Sequence, residues 1–149
     1  MNVPTARTAA PTAGTAPTAP TARTARTARA VGRALLWIAA AAAALAAVSS
    51  IPTVLSAGGA TQIVETWRGY GFAAFAILFA TLARRPQLSR GVWAAVILNK
   101  VALTLTALVY ASRGGVAGTG AVIGWDGALS VLLIAALILT RGWATDGRR

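Results

Sequence analysis

The chain has 149 residues with 14 Lys+Arg against 3 Asp+Glu, a formal net charge of +11, yet only 11% of it is charged and 56% is hydrophobic. A soluble domain typically carries about 25% charged residues, so this composition, with a mean hydropathy of +0.66, excludes an ordinary soluble fold. It points the basic residues toward anionic lipid rather than nucleic acid. With no histidine, no cysteine and a single methionine, Met1, the usual ligands of haem, zinc, copper and iron–sulfur sites are missing, so no cofactor or metal is expected and no disulfide can form. Arginine outnumbers lysine 13 to 1 among many alanines and glycines, the codon signature of a GC-rich, actinobacterial genome.

Residues 1–30 are built from Thr, Ala, Pro and Arg, with the triplet repeat "TARTARTAR" at 21–29. So little bulky apolar surface cannot offset ordering entropy, and the segment reads as a disordered cytoplasmic tail. No proline falls between Pro20 and Pro52, so a helix starting near Thr21 is also open to it. Arg23, Arg26, Arg29 and Arg33 would then form a lipid-facing basic anchor. The competing view is a translated leader with only a topogenic role, upstream of a start near Val31.

Four apolar runs follow, at about 34–54, 67–83, 91–111 and 121–140, each close to the roughly 20 residues that cross about 30 Å of hydrocarbon. The expected fold is an all-α four-helix transmembrane bundle spanning 31–143, with a short tail at 144–149. The first run also has the look of a signal-sequence core before Gly58-x-Ala60, but its length favours an uncleaved span. Arginines flanking the spans cluster on one side: 23, 26, 29 and 33, then 84, 85 and 90, then 141, 148 and 149. Only Arg68 and Arg113 fall in the other connections, so the positive-inside rule puts both termini in the cytoplasm of a bacterial cell. Trp37, Trp93 and Trp143 fall at inner ends and Trp67 and Trp125 at outer ends, as an interfacial aromatic belt would.

Small residues should let the helices approach closely, with Gly120 and Gly124 at the mouth of the fourth span and Ala76 and Ala80 in the second. Pro52 should bend or end the first helix, leaving carbonyls for Ser49 and Ser50 to satisfy. Glu65 and Arg68, three residues apart, should pair at the interface.

Polar residues within spans mark functional candidates. Asn99 and Lys100 interrupt "VILNKVALTLTALVY", and Asp126 and Ser130 form a short polar strip on the fourth helix. Asn99 needs a partner on a neighbouring helix, while Thr104 and Thr106 can bond back to their own. If Trp125 marks the headgroup level, Asp126 lies at the surface and Lys100 near the midplane, roughly 10 to 14 Å apart along the axis. That offset favours Asp126 as a helix cap and Lys100 snorkelling to the headgroups over a direct ion pair.

The basic turn "LARRPQLSRG" and the acid in "GWDGALSVLL" resemble the small four-helix bacterial membrane proteins of the DoxX-like group, which implies membrane location and fold but no chemistry. The size resembles the small multidrug resistance transporters, whose first-helix glutamate has no counterpart in "WIAAAAAALAAV". The expected role is a non-catalytic subunit or accessory factor with lipid, homo-oligomer or membrane-complex partners. The alternative is a small oligomeric transporter or channel using the polar residues of helices 3 and 4. An enzyme would need Lys100 as base beside Ser130, and nothing in the sequence fixes that geometry.

Overall fold

The computed structural model describes residues 22–87, 90–114 and 116–142, which are all-helical with no strand. Residues 1–21, Trp143 and the segment beyond it lie outside the described residues. The helices are α1 (Ala22–Ser49), α2 (Ile51–Ser56), α3 (Gln62–Arg84), α4 (Arg90–Arg113) and α5 (Thr119–Thr140).

The N-terminus follows one of the two alternatives. Residues 22–30, assigned to a disordered tail with a helix from near Thr21 as the other reading, form the first turns of α1. Alanine and arginine are strong helix formers and no proline interrupts them, so the low-complexity repeat propagates the helix that follows it. Pro52 interrupts the first helix without ending it. The chain breaks at Ser50, whose backbone remains near αR at φ −76°, ψ −17°, and runs on as α2 to an extended Ala57. Pro52 has no N–H to give the preceding turn, and the serines there bond back to α1: Ser49 Oγ donates to the Ala46 carbonyl at 3.1 Å and Ser50 Oγ to that of Ala47 at 2.7 Å.

Three segments are long and apolar enough to cross a membrane: Ala22–Ser56, Arg90–Arg113 and Thr119–Thr140. The helix α3 is long but not among them. Glu65, Arg68, two glycines and Tyr70 occupy its first half, so its apolar stretch is confined to the second.

The helix α1 packs against both α3 and α5, α4 packs against α5, and α3 meets α4 over only a short stretch. The core lies toward one end, formed by Leu36, Ala39, Ala40 and Ala43 with Phe79, Leu82, Ala83, Trp93, Val96, Leu129, Leu133 and Ala136. That end also gathers the basic residues and is called the basic end below. Arg33 Nε donates to the Ala83 carbonyl at 2.9 Å, satisfying an end group of α3. The Arg84 guanidinium lies 5.1 Å from the centroid of the Trp37 ring, a cation–π distance.

Close approach is achieved at Gly32, Gly69 and Gly142 and not at Gly120 or Gly124: a Cβ on Gly69, in the first half of α3, would lie 2.8 Å from Ser50 Oγ. A Cβ on Gly32 would lie 2.7 Å from Thr140 Cγ2 and 3.2 Å from the Ala136 carbonyl oxygen, so the α1–α5 crossing requires a glycine there. One on Gly142 would lie 2.5 Å from Trp93 Nε1. Gly120 and Gly124 face open space, on the side of α5 turned away from buried Asp126, Leu129 and Leu133. Ala76 and Ala80 do pack against the core.

Trp93 departs from the aromatic-belt reading. It is only 2% exposed, and its Nε1 donates to the Pro86 carbonyl at 2.7 Å, tying the α3–α4 turn to the core. Trp37, Trp67 and Trp125 are exposed on the surface, as interfacial anchors would be.

Candidate functional site

Lys100 is on the second turn of α4 past Trp93, on the same face as Trp93, Val96 and Ala107, the other buried residues of that helix. From α5, Asp126 points into the bundle with Leu129, Ser130 and Leu133. The two meet: Lys100 Nζ donates to Asp126 Oδ1 at 2.7 Å, and the residues are 4% and 8% exposed. The ammonium also lies 4.3 Å from the centroid of the Phe75 ring on α3, so three helices converge on one cation.

This geometry corrects the expectation that depth would keep the pair apart. The first turn of α5 starts at Thr119, with Gly118 as its N-cap, so Asp126 lies about two turns inside the helix and caps nothing. Gly127 faces Thr104, whose Cγ2 would be 3.6 Å from a Cβ at that glycine. With that register, Lys100 is roughly five residues, or about 7 Å by helical rise, from the level of Asp126. A lysine stem covers such a gap, so the side chain extends along the bundle instead of snorkelling to the basic end. The axial offset is therefore shorter than the roughly 10 to 14 Å that taking Trp125 as the headgroup level implies.

The surrounding hydrogen bonds hold the pair in place without consuming the carboxylate. Ser130 Oγ donates to the backbone carbonyl of Asp126 at 2.7 Å, and Thr104 Oγ1 to that of Lys100 at 2.8 Å. Both are back-bonds within one helix. Ser130 therefore lies beside the site but does not touch the Lys100 ammonium through any hydrogen bond, so the Ser–Lys dyad weighed for an enzyme is not assembled.

Asn99 is not brought to the site. Consecutive helical residues point about 100° apart, and with Lys100 facing inward Asn99 is exposed on the flank of α4. It finds no partner on a neighbouring helix among the described residues. The sequence reading missed Phe75, whose ring faces the ammonium; its only signal is the i, i+4 spacing to buried Phe79, with the rings 5.7 Å apart.

Above the pair opens a cavity of about 690 Å³, lined from every helix, with Ser50, Arg68, Phe72, Thr106, Tyr110 and Asp126 among its walls. Glu65 and Arg68 pair as expected at its rim, with 18% and 51% of their side chains exposed. An exposed pair of this kind contributes little to stability. Asp126 and Glu65 are the only acids among the described residues, and no cluster of three metal-ligating side chains occurs there.

Of the four arginines read as a lipid anchor, Arg23, Arg26 and Arg29 are exposed along α1, whereas Arg33 reaches across to α3. The chain matches no family model, and no curated protein or solved structure matches it.

Proposed function

We propose that the chain is a multi-pass integral protein of the bacterial cell membrane, with four spans and both termini cytoplasmic, acting as a non-catalytic subunit or accessory factor. The observation that carries this reading is the closed Lys100–Asp126 pair. Each charge has the other as its partner inside the bundle, which supports a structural duty. An intramembrane pair of this kind fixes how α4 sits against α5, which is a structural duty. The fourth span in this reading is α3, which at 23 residues is about 34 Å long by helical rise, enough to cross, and which carries Glu65 and Arg68 as a closed pair near its outer end. The clustered arginines of the basic end support the cytoplasmic placement and an anionic inner leaflet as its surface partner.

The test is accumulation of the protein in membranes. Lys100→Met and Asp126→Leu alone should each abolish accumulation, and the double variant should restore it, because a pair of apolar residues leaves no orphaned charge. Unchanged accumulation of both single variants would refute the structural duty.

A second reading, a small oligomeric transporter or channel, is favoured by one observation: the 690 Å³ cavity has Asp126 in its wall. Asp126→Asn that accumulates normally but alters solute or drug sensitivity would select this reading over the first.

A further inference from the structure

A groove of about 420 Å³ runs along the outside of α4 at the basic end. Its floor on α4 includes Arg90, Ala94, Leu98 and Val101, and Leu137 and Gly142 line it from the other side. The four α4 residues recur at the spacing of a single helical stripe. Polarity is confined to one end. Beyond Arg90 the lining is hydrocarbon, glycine and Trp93, whose N–H is already given to the Pro86 carbonyl.

Length and charge together define what fits. The eleven steps from Arg90 to Val101 rise about 16 Å, and half of the roughly 30 Å hydrocarbon core is about 15 Å. The groove therefore has the depth of one leaflet, the reach of a single acyl chain, and its cation stands where that chain would meet its headgroup. Other arginines are engaged: Arg33 with the Ala83 carbonyl, Arg84 with the Trp37 ring and Arg68 with Glu65. Arg90 has no such partner among the described residues, and neither has Arg141, which directly precedes Gly142; both are exposed. The two described acids are taken up by Arg68 and Lys100, so no described carboxylate serves this end. Guanidinium groups hold phosphate through paired hydrogen bonds.

We propose that this groove binds one anionic phospholipid, its phosphate on Arg90 and Arg141 and one acyl chain laid along Ala94, Leu98 and Val101. A zwitterionic lipid brings an ammonium that two arginines repel, so a headgroup without one is selected. The inference rests on the membrane reading proposed above, and it goes beyond a diffuse attraction between arginines and an anionic leaflet by naming one site with a chain slot.

The test uses the purified full chain in dodecylmaltoside, titrated with phosphatidylglycerol or with phosphatidylcholine of the same acyl chains, bound lipid being counted by native mass spectrometry. One phosphatidylglycerol should bind, about tenfold or more tighter than phosphatidylcholine. Arg90→Gln should weaken it by about tenfold, the worth of one hydrogen bond to a charged group. Arg26→Gln removes the same charge from α1, outside the groove, and should leave the affinity unchanged. Ala94→Trp fills the slot at constant charge and should abolish the bound lipid, whereas Ala95→Trp, one residue outside the lining, should not. All four positions are exposed, so helicity by circular dichroism should stay at the level of the unmodified chain and separate a lost site from a lost fold.

Equal binding of the two lipids would overturn the proposal, as would equal losses from Arg90→Gln and Arg26→Gln, which mark diffuse surface attraction. Undiminished binding by Ala94→Trp would overturn it too, and so would glycerol phosphate competing as well as the whole lipid. Extraction of the chain from membranes by alkaline carbonate would overturn the membrane reading and the site together. A stably embedded chain without lipid preference would refute the site alone.

Discussion

The two ends of this bundle are built on different terms. At the basic end, Leu36, Phe79, Leu82, Leu133 and Ala136 are fully buried, and Gly32 admits α5 to contact with the backbone of α1. At the other end the same helices diverge around a cavity of about 690 Å³, and Gly120 and Gly124 meet nothing. The Lys100–Asp126 pair marks the boundary between them. One end is held by shape, since lipid offers apolar side chains as good a solvent as another helix does and only close packing is gained. At the boundary the hold is a charge pair, which remains directional where packing is incomplete.

This contrast is open to attack, beginning where the effects are largest. Lys100→Met leaves Asp126 charged and unpaired, and it should lower unfolding free energy in mixed micelles by about 3–5 kcal/mol, most of it recovered in the double variant with Asp126→Leu. Phe79→Ala should cost about 3 kcal/mol by the same measurement, because the basic end cannot collapse around the void. Phe72→Ala, at the cavity, should cost less than half of that. Equal losses at positions 72 and 79 would dissolve the distinction between the ends.

Gly32→Val forces a side chain into Thr140 and the Ala136 carbonyl, and about 1–3 kcal/mol should be lost. Smaller still, Trp93→Phe removes one donor and leaves the Pro86 carbonyl without it, for about 1 kcal/mol in the same titration. Gly124→Ala should change stability by no more than about 0.5 kcal/mol. A large effect there would mean that the open end is covered by something the chain alone does not provide.

Much of this was legible in the sequence, and the errors are informative. The length and apolarity of the runs placed α4 and α5 to within about two residues, since hydrophobic length is a one-dimensional property. The pairing of Lys100 with Asp126 was not legible, because it depends on helix register. A single marker, Trp125, gave an axial offset longer than the register does, because the facing of Gly127 and Thr104 cannot be read from one helix alone. Trp93 misled as a belt residue, since its buried Nε1 has a carbonyl partner that only the folded α3–α4 turn supplies. Asn99 was grouped with Lys100 because they are adjacent, yet adjacency in a helix separates side chains by about 100°. Small-residue spacing picked Gly120 and Gly124 over Gly32, which has no glycine four residues away and is fixed by what crosses it.

The unbroken run of α1 from Ala22 through the arginine repeat sets the spacing of its charges. By helical rise Arg23 stands about 15 Å beyond Arg33, further than the roughly 8 Å Debye length of physiological solution. Under the membrane reading proposed above the two would answer differently to salt: Arg33 is tied to the Ala83 carbonyl of α3, whereas Arg23, exposed at the start of the helix, would feel an anionic leaflet only at low ionic strength.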